Sequence, residues 1–511
     1  MSLAKDGREI YQLLPTSLAA GQSVPEAPLP ARLLDILPSD DAWNPKAARG
    51  WKALFQLANH LVRVVTPPPG SYGRYATFSH QWGKEQQLRL TSRSQKEFES
   101  GLLLCSLPKT YQDAVKVARI LGYRYLWIDA LCILQDSDED LGHASSIMSS
   151  AYRNSSVTIA SHFADKDAGF FSILKSDSSD FTRDICNSSL SSRGWFFQER
   201  LLSRRVLHFS PNGLFLEDAS GVLCLDRHSR LARPTEYEPR IDNKFNLEEL
   251  VHSSAQWYHA VERYSSCALT RPVDRLSAIE GLAGYYSENA LNAGEYVCGI
   301  WENSLHQGLL WVLGEEDQME LESSSDIMSS PSWSWARWSG RILYPQHLPT
   351  VVSEISQADV DFPDPICKEP KLYMELDPPL LTLDLRILEW ENISAVRLSH
   401  PKQVAHFPQA PISVYHFRDQ PWSHFSLDNE NRQVVHFDKI TLALTSRNDD
   451  KRYLYDEHAD RVIQITECMY YFLILQRVDG GGQERYRRVG LGWVGSKSCW
   501  KRGRMAAVSI V

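Results

Sequence analysis

An α/β fold built on a parallel sheet, followed by a mainly helical segment and a β-rich C-terminal region, is what this 511-residue sequence predicts. Strand-like and helix-like stretches alternate between Tyr75 and Ser161, the pattern of a sheet with helices packed on its faces. Helical spacing then dominates "DRLSAIEGLAGYYSENA", and two-residue alternation returns at Leu381, Leu383, Leu385 and Ile387 of "LLTLDLRILEW".

In chain order, residues 1–70 are Pro-rich around one helix expected near 47–62, which reads as a lead-in. "RYATFSHQWG" is a strand ending at a turn. "LPKTYQDAVKVARILGY" sets Tyr111, Ala114, Val115, Ala118 and Leu121 at helical spacing, with Thr110 and Asp113 as a capping-box signature and Gly122 as terminator. "YRYLWID" reads as a buried strand. "DLGHASSIMSSAYRN" is helical through Leu141, Ala144, Met148 and Tyr152, and "SSVTIAS" is the next strand. Residues 205–226 read as strands joined at Pro-Asn-Gly, and 240–310 as mostly helical. "PSWSWARW" alternates Trp333, Trp335 and, beyond Arg337, Trp338, as a strand burying one aromatic face would. "VVHFDKITLAL" and "CMYYFLILQRV" are further strands, the latter ending at a "DGGGQ" turn.

Composition narrows the function classes. With 43% apolar and 23% charged residues the chain is globular, and at this length several domains are expected. A formal charge of −9 without a basic block gives no footprint for nucleic acid. The first residues, "MSLAKDGREIYQLLP", carry charges where a secretory leader needs an apolar run, and no stretch is long enough to span a membrane. Nine scattered cysteines without a CxxC pair fit reduced thiols and a cytoplasmic setting. Cys132 reads as a small buried hydrophobe. No metal is expected, since the 16 histidines are dispersed and no cluster has ligand spacing.

In open parallel sheets, ligands bind outside the carboxyl ends of the strands. Ser79, His80, Trp82 and Gly83 of "SHQWG" and Asp129 of "LWIDAL" fall at such ends. His80 is a candidate for proton transfer and Asp129 for lining the crevice. Arg193, Trp195, Gln198 and Glu199 of "SSRGWFFQERLLSRR" form a turn and helix start that can wall the same crevice. Arg200, Arg204 and Arg205 make an ion pair the competing role for Glu199.

Four blocks, "YATFSHQWG", "LPKTYQDAVKVARILGYRYLWIDALCILQD", "MSSAYRNSSVTIAS" and "SSRGWFFQERLLSRRVLHF", resemble in order and spacing those of the fungal heterokaryon-incompatibility (HET) domain. The resemblance extends over roughly 72–345. It implies a HET domain over 72–230, a mainly helical HET-associated region over 231–345 and a β-rich region over 346–511. It also implies a flavodoxin-like sheet similar to that of the Toll/interleukin-1 receptor (TIR) domain, and a cell-death effector of self/non-self recognition. Some TIR-type domains hydrolyse NAD with a glutamate on the helix after a Trp-containing turn, and Glu199 stands in that place. Three positions depart from the family's pattern: Ala130 for a serine, Ala144 for an acid, and Leu216-Glu217-Asp218 for Trp-Glu-Cys.

Cleaving nicotinamide from ribose passes through an oxocarbenium-like state, as in glycoside hydrolysis. The leaving pyridinium departs neutral, so one carboxylate near the ribose suffices. On this reading Glu199, His80 and Asp129 are catalytic, and Ser79, Trp82, Gly83, Arg193, Trp195 and Gln198 bind substrate. Arg193 and the helix N-terminus would grip phosphate, with a Trp face for a ring. NAD enters as substrate; no cofactor is expected. Two alternatives stay open: an enzyme of fungal secondary metabolism using the same crevice on another small molecule, and a non-catalytic module acting through homo-oligomeric assembly.

Overall fold

The computed structural model describes residues 13–14, 24–37, 61–81, 88–163, 169–171, 179–225, 229–230, 247–314, 330–338, 340–345, 351–353 and 355, with strand segments at 358–361, 373–376, 379–384, 423–427, 439–448, 452–456, 461–465, 469–478, 485–494, 504–505 and 508–510. Two compact units divide the chain. The first comprises residues 1–247, 267–269 and 277–284, and the second holds the rest.

Ten strands make the sheet of the first unit: β1 (Leu33–Asp35), β2 (Leu61–Val65), β3 (Tyr75–Ser79), β4 (Leu102–Leu103), β5 (Tyr125–Trp127), β6 (Val157–Ser161), β7 (Arg205–Ser210), β8 (Gly213–Asp218), β9 (Gly221–Cys224) and β10 (Ser229–Arg230). Their spatial order is β10-β9-β8-β7-β6-β3-β5-β1-β2-β4. Only the four central strands, β5-β3-β6-β7, are parallel; both flanks are antiparallel. The expected parallel sheet is therefore a mixed one. Its cause is local: two-residue turns such as Pro211-Asn212 return the chain beside itself, whereas parallel neighbours need helical crossovers. The proline-rich N-terminal stretch adds β1 and β2 to this sheet. The helix expected at 47–62 lies outside the described residues, save its end, where β2 begins.

Three helices cover the parallel strands: α1 (Lys109–Ile120), α2 (Ala144–Asn154) and α3 (Gly194–Leu202). In α1 the buried positions include Tyr111, Ala114, Val115 and Ala118, as the spacing requires. The capping box is absent, because the helix starts at Lys109 after Pro108 with no side-chain cap. Asp113 turns instead to Lys116 at 3.0 Å, Lys109 at 3.4 Å and the Phe170 amide at 3.0 Å. Gly122 ends the helix with φ +81°. The expected helix at 141–154 is broken at His143 into Asp138–Gly142 and α2.

Side-chain alternation gives the sheet two different faces. Phe78 packs edge-on against Tyr111 of α1, with ring centroids 6.2 Å apart, so even-numbered positions of β3 meet α1. Tyr75 donates to the Ala151 carbonyl, and Ser79 lies against Tyr152, so odd-numbered positions meet α2. This second face is polar across several strands. Thr77 and Thr158 hydroxyls are 2.7 Å apart, Thr158 is 2.5 Å from Ser203, and His208 and Glu217 continue the stripe on β7 and β8. Phe196 of α3 fills its apolar gap with Ala160, Leu190 and Val206.

The second unit contains α4 (Ser254–Ser265) and the C-terminal end of α5 (Ser277–Asn289), whose first turns belong to the first unit. Trp257, Tyr286, Tyr296 and Trp301 form one aromatic cluster. The "PSWSWARW" segment is not a strand: Ser334 caps a short 3-10 turn at Trp335–Arg337. Trp333 and Trp335 are both fully buried, and the Trp335 indole donates to the Gly299 carbonyl. Long antiparallel strands at Lys439–Asn448, Met469–Val478 and Arg485–Val494 carry the C-terminal sheet. "DGGGQ" and the second half of "LLTLDLRILEW" lie outside the described residues. Among the described residues, no helix is long and apolar enough to cross a membrane, and no group of His, Cys, Asp and Glu is arranged to hold a metal ion.

Candidate active site

The parallel strands occur in chain order β3, β5, β6, β7 and lie side by side as β5-β3-β6-β7. The connection therefore reverses direction at β3, between β5 and β6. Crevices open at such switch points, outside the carboxyl ends of the strands. Ser79 ends β3, and Asp129 follows β5.

Glu199 points into this edge from α3 and is 5% exposed. Its Oε2 accepts the Ser79 hydroxyl at 2.5 Å, and the Tyr152 hydroxyl lies beside this pair, 3.3 Å from Ser79 Oγ and donating to the Phe78 carbonyl at 3.4 Å. Burial pushes Glu199 up to about 7; the Arg193 charge, the Ser79 hydrogen bond and the nearby Tyr152 hydroxyl pull against this, and Asp129 adds to it. Burial also raises the Tyr152 phenol, with the charges of Glu199 and Asp129 assisting, so it remains a donor. Two carboxylates thus share one site within electrostatic reach, one of them titrating near neutrality.

The arginines do not lock Glu199. Arg200 turns away to make a two-pronged ion pair with Glu217, both bonds at 2.8 Å. Arg205 donates to the Ser156 carbonyl. Arg193, the N-cap residue of α3, donates from Nη1 to the His80 carbonyl at 2.7 Å, and its charge favours the ionised Glu199 carboxylate. The ion-pair role weighed for Glu199 therefore falls to Glu217.

Other candidates are placed differently. The His80 ring lies on the α1 face, stacked on Phe78 at 4.9 Å and 3.2 Å from the Tyr111 hydroxyl. It does not meet Glu199; its backbone carbonyl serves the site by orienting Arg193. Gln198 is fully buried with its Oε1 accepting the Leu282 amide, so it seats α5 rather than facing the crevice. Trp195 is half-buried at the start of α3. The first amide of that helix is not open to an anion, because Gly194 N–H donates to the Ala268 carbonyl at 2.9 Å. Asp129 accepts the Ala130 amide, and burial pushes the Cys132 thiol up to about 12, leaving it inert. Trp82 and Gly83 lie outside the described residues.

Tyr152 was legible in the sequence as a helix position and not as a site residue, since an aromatic at core spacing reads as packing. The buried His162 and His208 were equally silent, and Glu217 entered only within the Leu216-Glu217-Asp218 departure, although a histidine and a glutamate at inward positions of apolar strands are the signal that could have found them.

Residues 75–178 match the family model of the heterokaryon incompatibility protein (HET), which points to a role in heterokaryon incompatibility. Ser79, His80, Asp129 and Tyr152 fall inside the matched segment, and Arg193, Trp195, Gln198 and Glu199 beyond it. No curated protein and no solved structure matches the chain.

Proposed function

We propose that the protein is a HET-type incompatibility effector whose crevice cleaves the nicotinamide–ribose bond of NAD, with Glu199 as the catalytic carboxylate. The carrying observation is the buried Glu199 carboxyl held by Ser79 at the sheet's switch point, with the Tyr152 hydroxyl against Ser79 and the Arg193 charge within electrostatic reach. The β5-β3-β6-β7 order, which is how flavodoxin-like sheets of the TIR type begin, supports the same reading.

In that reaction the C1′–N bond breaks and its electron pair goes to the pyridinium nitrogen, so nicotinamide leaves neutral. Positive charge on the ribose is stabilised by ionised Glu199. Water then adds at C1′ and releases its proton to solvent, giving ADP-ribose. Arg193 provides the fork for the pyrophosphate and Trp195 a face for a ring. Ser79 fixes the carboxylate's orientation, with the Tyr152 hydroxyl packed against Ser79. Nicotinamide release by the purified protein, abolished in Glu199→Gln, is the expected result; NAD left intact by concentrated wild type would remove this reading.

One observation favours a second function on the same scaffold. A carboxyl titrating near 7 is suited to proton transfer, which NAD cleavage does not require. Ala130 and Ala144 also depart from the family's polar pattern. An enzyme of small-molecule metabolism using Glu199 as general acid would lose activity as pH rises through 7, whereas NAD cleavage would gain it.

A further inference from the structure

A second set of reactive groups lies beyond the Glu199 site, in the same unit. His162 follows the end of β6, and its Nδ1 is 2.6 Å from the Ser188 hydroxyl. Its Nε2 is 2.9 Å from His208 Nδ1, and His208 Nε2 is 3.1 Å from Glu217 Oε2. Both histidines and Glu217 are buried, while Ser188 is half-buried in the turn between Cys186 and Leu190, beside exposed Asn187 and Ser189.

The proton positions in this chain follow from its charged end. Burial alone would raise the Glu217 carboxyl, but Arg200 and the His208 hydrogen bond hold it well below the usual carboxylate range. An ionised carboxylate only accepts, so His208 Nε2 must donate to it. Arg200 already balances the Glu217 charge, so neutral imidazoles leave the buried group without net charge, the inexpensive state in a low dielectric. Neutral His208 then accepts at Nδ1, which makes His162 Nε2 the donor and leaves His162 Nδ1 as an acceptor. The Ser188 proton is thereby directed at His162. The Ser191 amide, 3.2 Å from Ser188 Oγ, takes one of the hydroxyl's lone pairs.

We propose that Ser188, His162, His208 and Glu217 form a nucleophilic centre separate from the Glu199 site, which accepts acyl groups from small activated esters or thioesters. A nucleophile, a base bonded to it, and a partner orienting that base are the parts such chemistry needs, recognised by geometry rather than sequence order. Burial, with His208 and Arg200 nearby, holds His162 well below the ordinary imidazole value, so the ring is neutral, and its Nδ1, 2.6 Å from Ser188 Oγ, is the acceptor placed for the serine proton. Ser188 Oγ attacks the acyl carbon as His162 takes its proton. The bond to the leaving alcohol or thiol breaks, and that group leaves with the proton. Water, deprotonated by His162, then attacks the acyl-serine, releases a carboxylic acid and returns the hydrogen to Ser188.

The test is labelling of the folded full chain with a biotinylated fluorophosphonate, which transfers phosphorus to activated serines with loss of fluoride. Mass spectrometry of the digest is expected to find the adduct on the peptide containing Ser188. Labelling should vanish in Ser188→Ala, fall at least tenfold in His162→Gln, and disappear when wild type is denatured first. Hydrolysis of p-nitrophenyl acetate should follow the same order, and thermal unfolding checks that each variant is folded. No adduct on folded wild type, or one retained in Ser188→Ala, overturns the proposal. Undiminished labelling of a folded His162→Gln variant overturns the role of His162.

Discussion

The Ser79 hydroxyl donates to the Glu199 carboxylate at 2.5 Å across 120 positions of sequence, joining the end of the first parallel strand to the helix that faces it. Because this bond favours the ionised carboxylate, Ser79→Ala should move the Glu199 titration above 7. The pH–rate profile of NAD cleavage, or the carboxyl carbon shift by NMR, reads the change. A midpoint that stays put would show that the hydroxyl does not tune the carboxyl.

Glu199 also links stability to pH. Its folded value of about 7 lies above that of an unfolded glutamate, so the folded state binds the extra proton and stability falls as pH rises between about 4.3 and 7. Glu199→Gln removes that loss. The variant should gain about 3–4 kcal/mol on wild type at pH 8 relative to pH 4, read from denaturant unfolding at both values.

The Arg200–Glu217 pair fixes the far side of α3. Breaking it by Glu217→Leu alone leaves a buried guanidinium and should cost about 3–5 kcal/mol. Arg200→Met added to that change should return part of the loss, since no uncompensated charge remains. Urea unfolding of the single and double variants decides this, and a double variant weaker than the single would contradict it.

Gly281 of α5 sits against α2 and α3. A Cβ there would collide with Ser149 Cβ and approach Gln198 Oε1 to 2.7 Å. Gly281→Ala should therefore destabilise the first unit by about 1–3 kcal/mol, measured by thermal unfolding, despite alanine's better helix propensity.

If the proposed NAD cleavage holds, Arg193→Ala should raise KM for NAD more than it lowers kcat, because the proposed role of this guanidinium, tied to the His80 carbonyl, is to grip the pyrophosphate rather than to meet the breaking bond. Steady-state kinetics separates the two parameters; an equal fall in kcat and kcat/KM would instead place Arg193 in the transition state.

Much of the parallel core was legible because its signals are local. The spacing from Tyr111 to Leu121 gave α1, Gly122 its end, and Pro211-Asn212-Gly213 the hairpin. The mixed sheet was not, because nothing local in Leu33–Asp35 records that it pairs with Tyr125–Trp127, ninety residues away by sequence. Glu199, singled out from its place beside a Gly-Trp turn, does meet Ser79 at the end of β3. His80 misled because neighbouring residues of a strand face opposite sides: Ser79 meets Glu199, so the next ring must meet α1. The tryptophans of "PSWSWARW" misled for a related reason, since a capped turn can bury consecutive odd positions as a strand does.

The strap formed by Ala268, whose amide reaches Ser192 and whose carbonyl holds Gly194, bears on how this molecule can be divided. A fragment ending near residue 230 would retain the segment that matches HET yet leave the entrance to α3 unclosed and Gln198 without the Leu282 amide. The first compact unit is accordingly discontinuous along the chain. In an isolated N-terminal half, α3 would keep its Phe196, Glu199 and Arg200 contacts to the sheet but lose the Ala268 and Leu282 ones at its entrance and back.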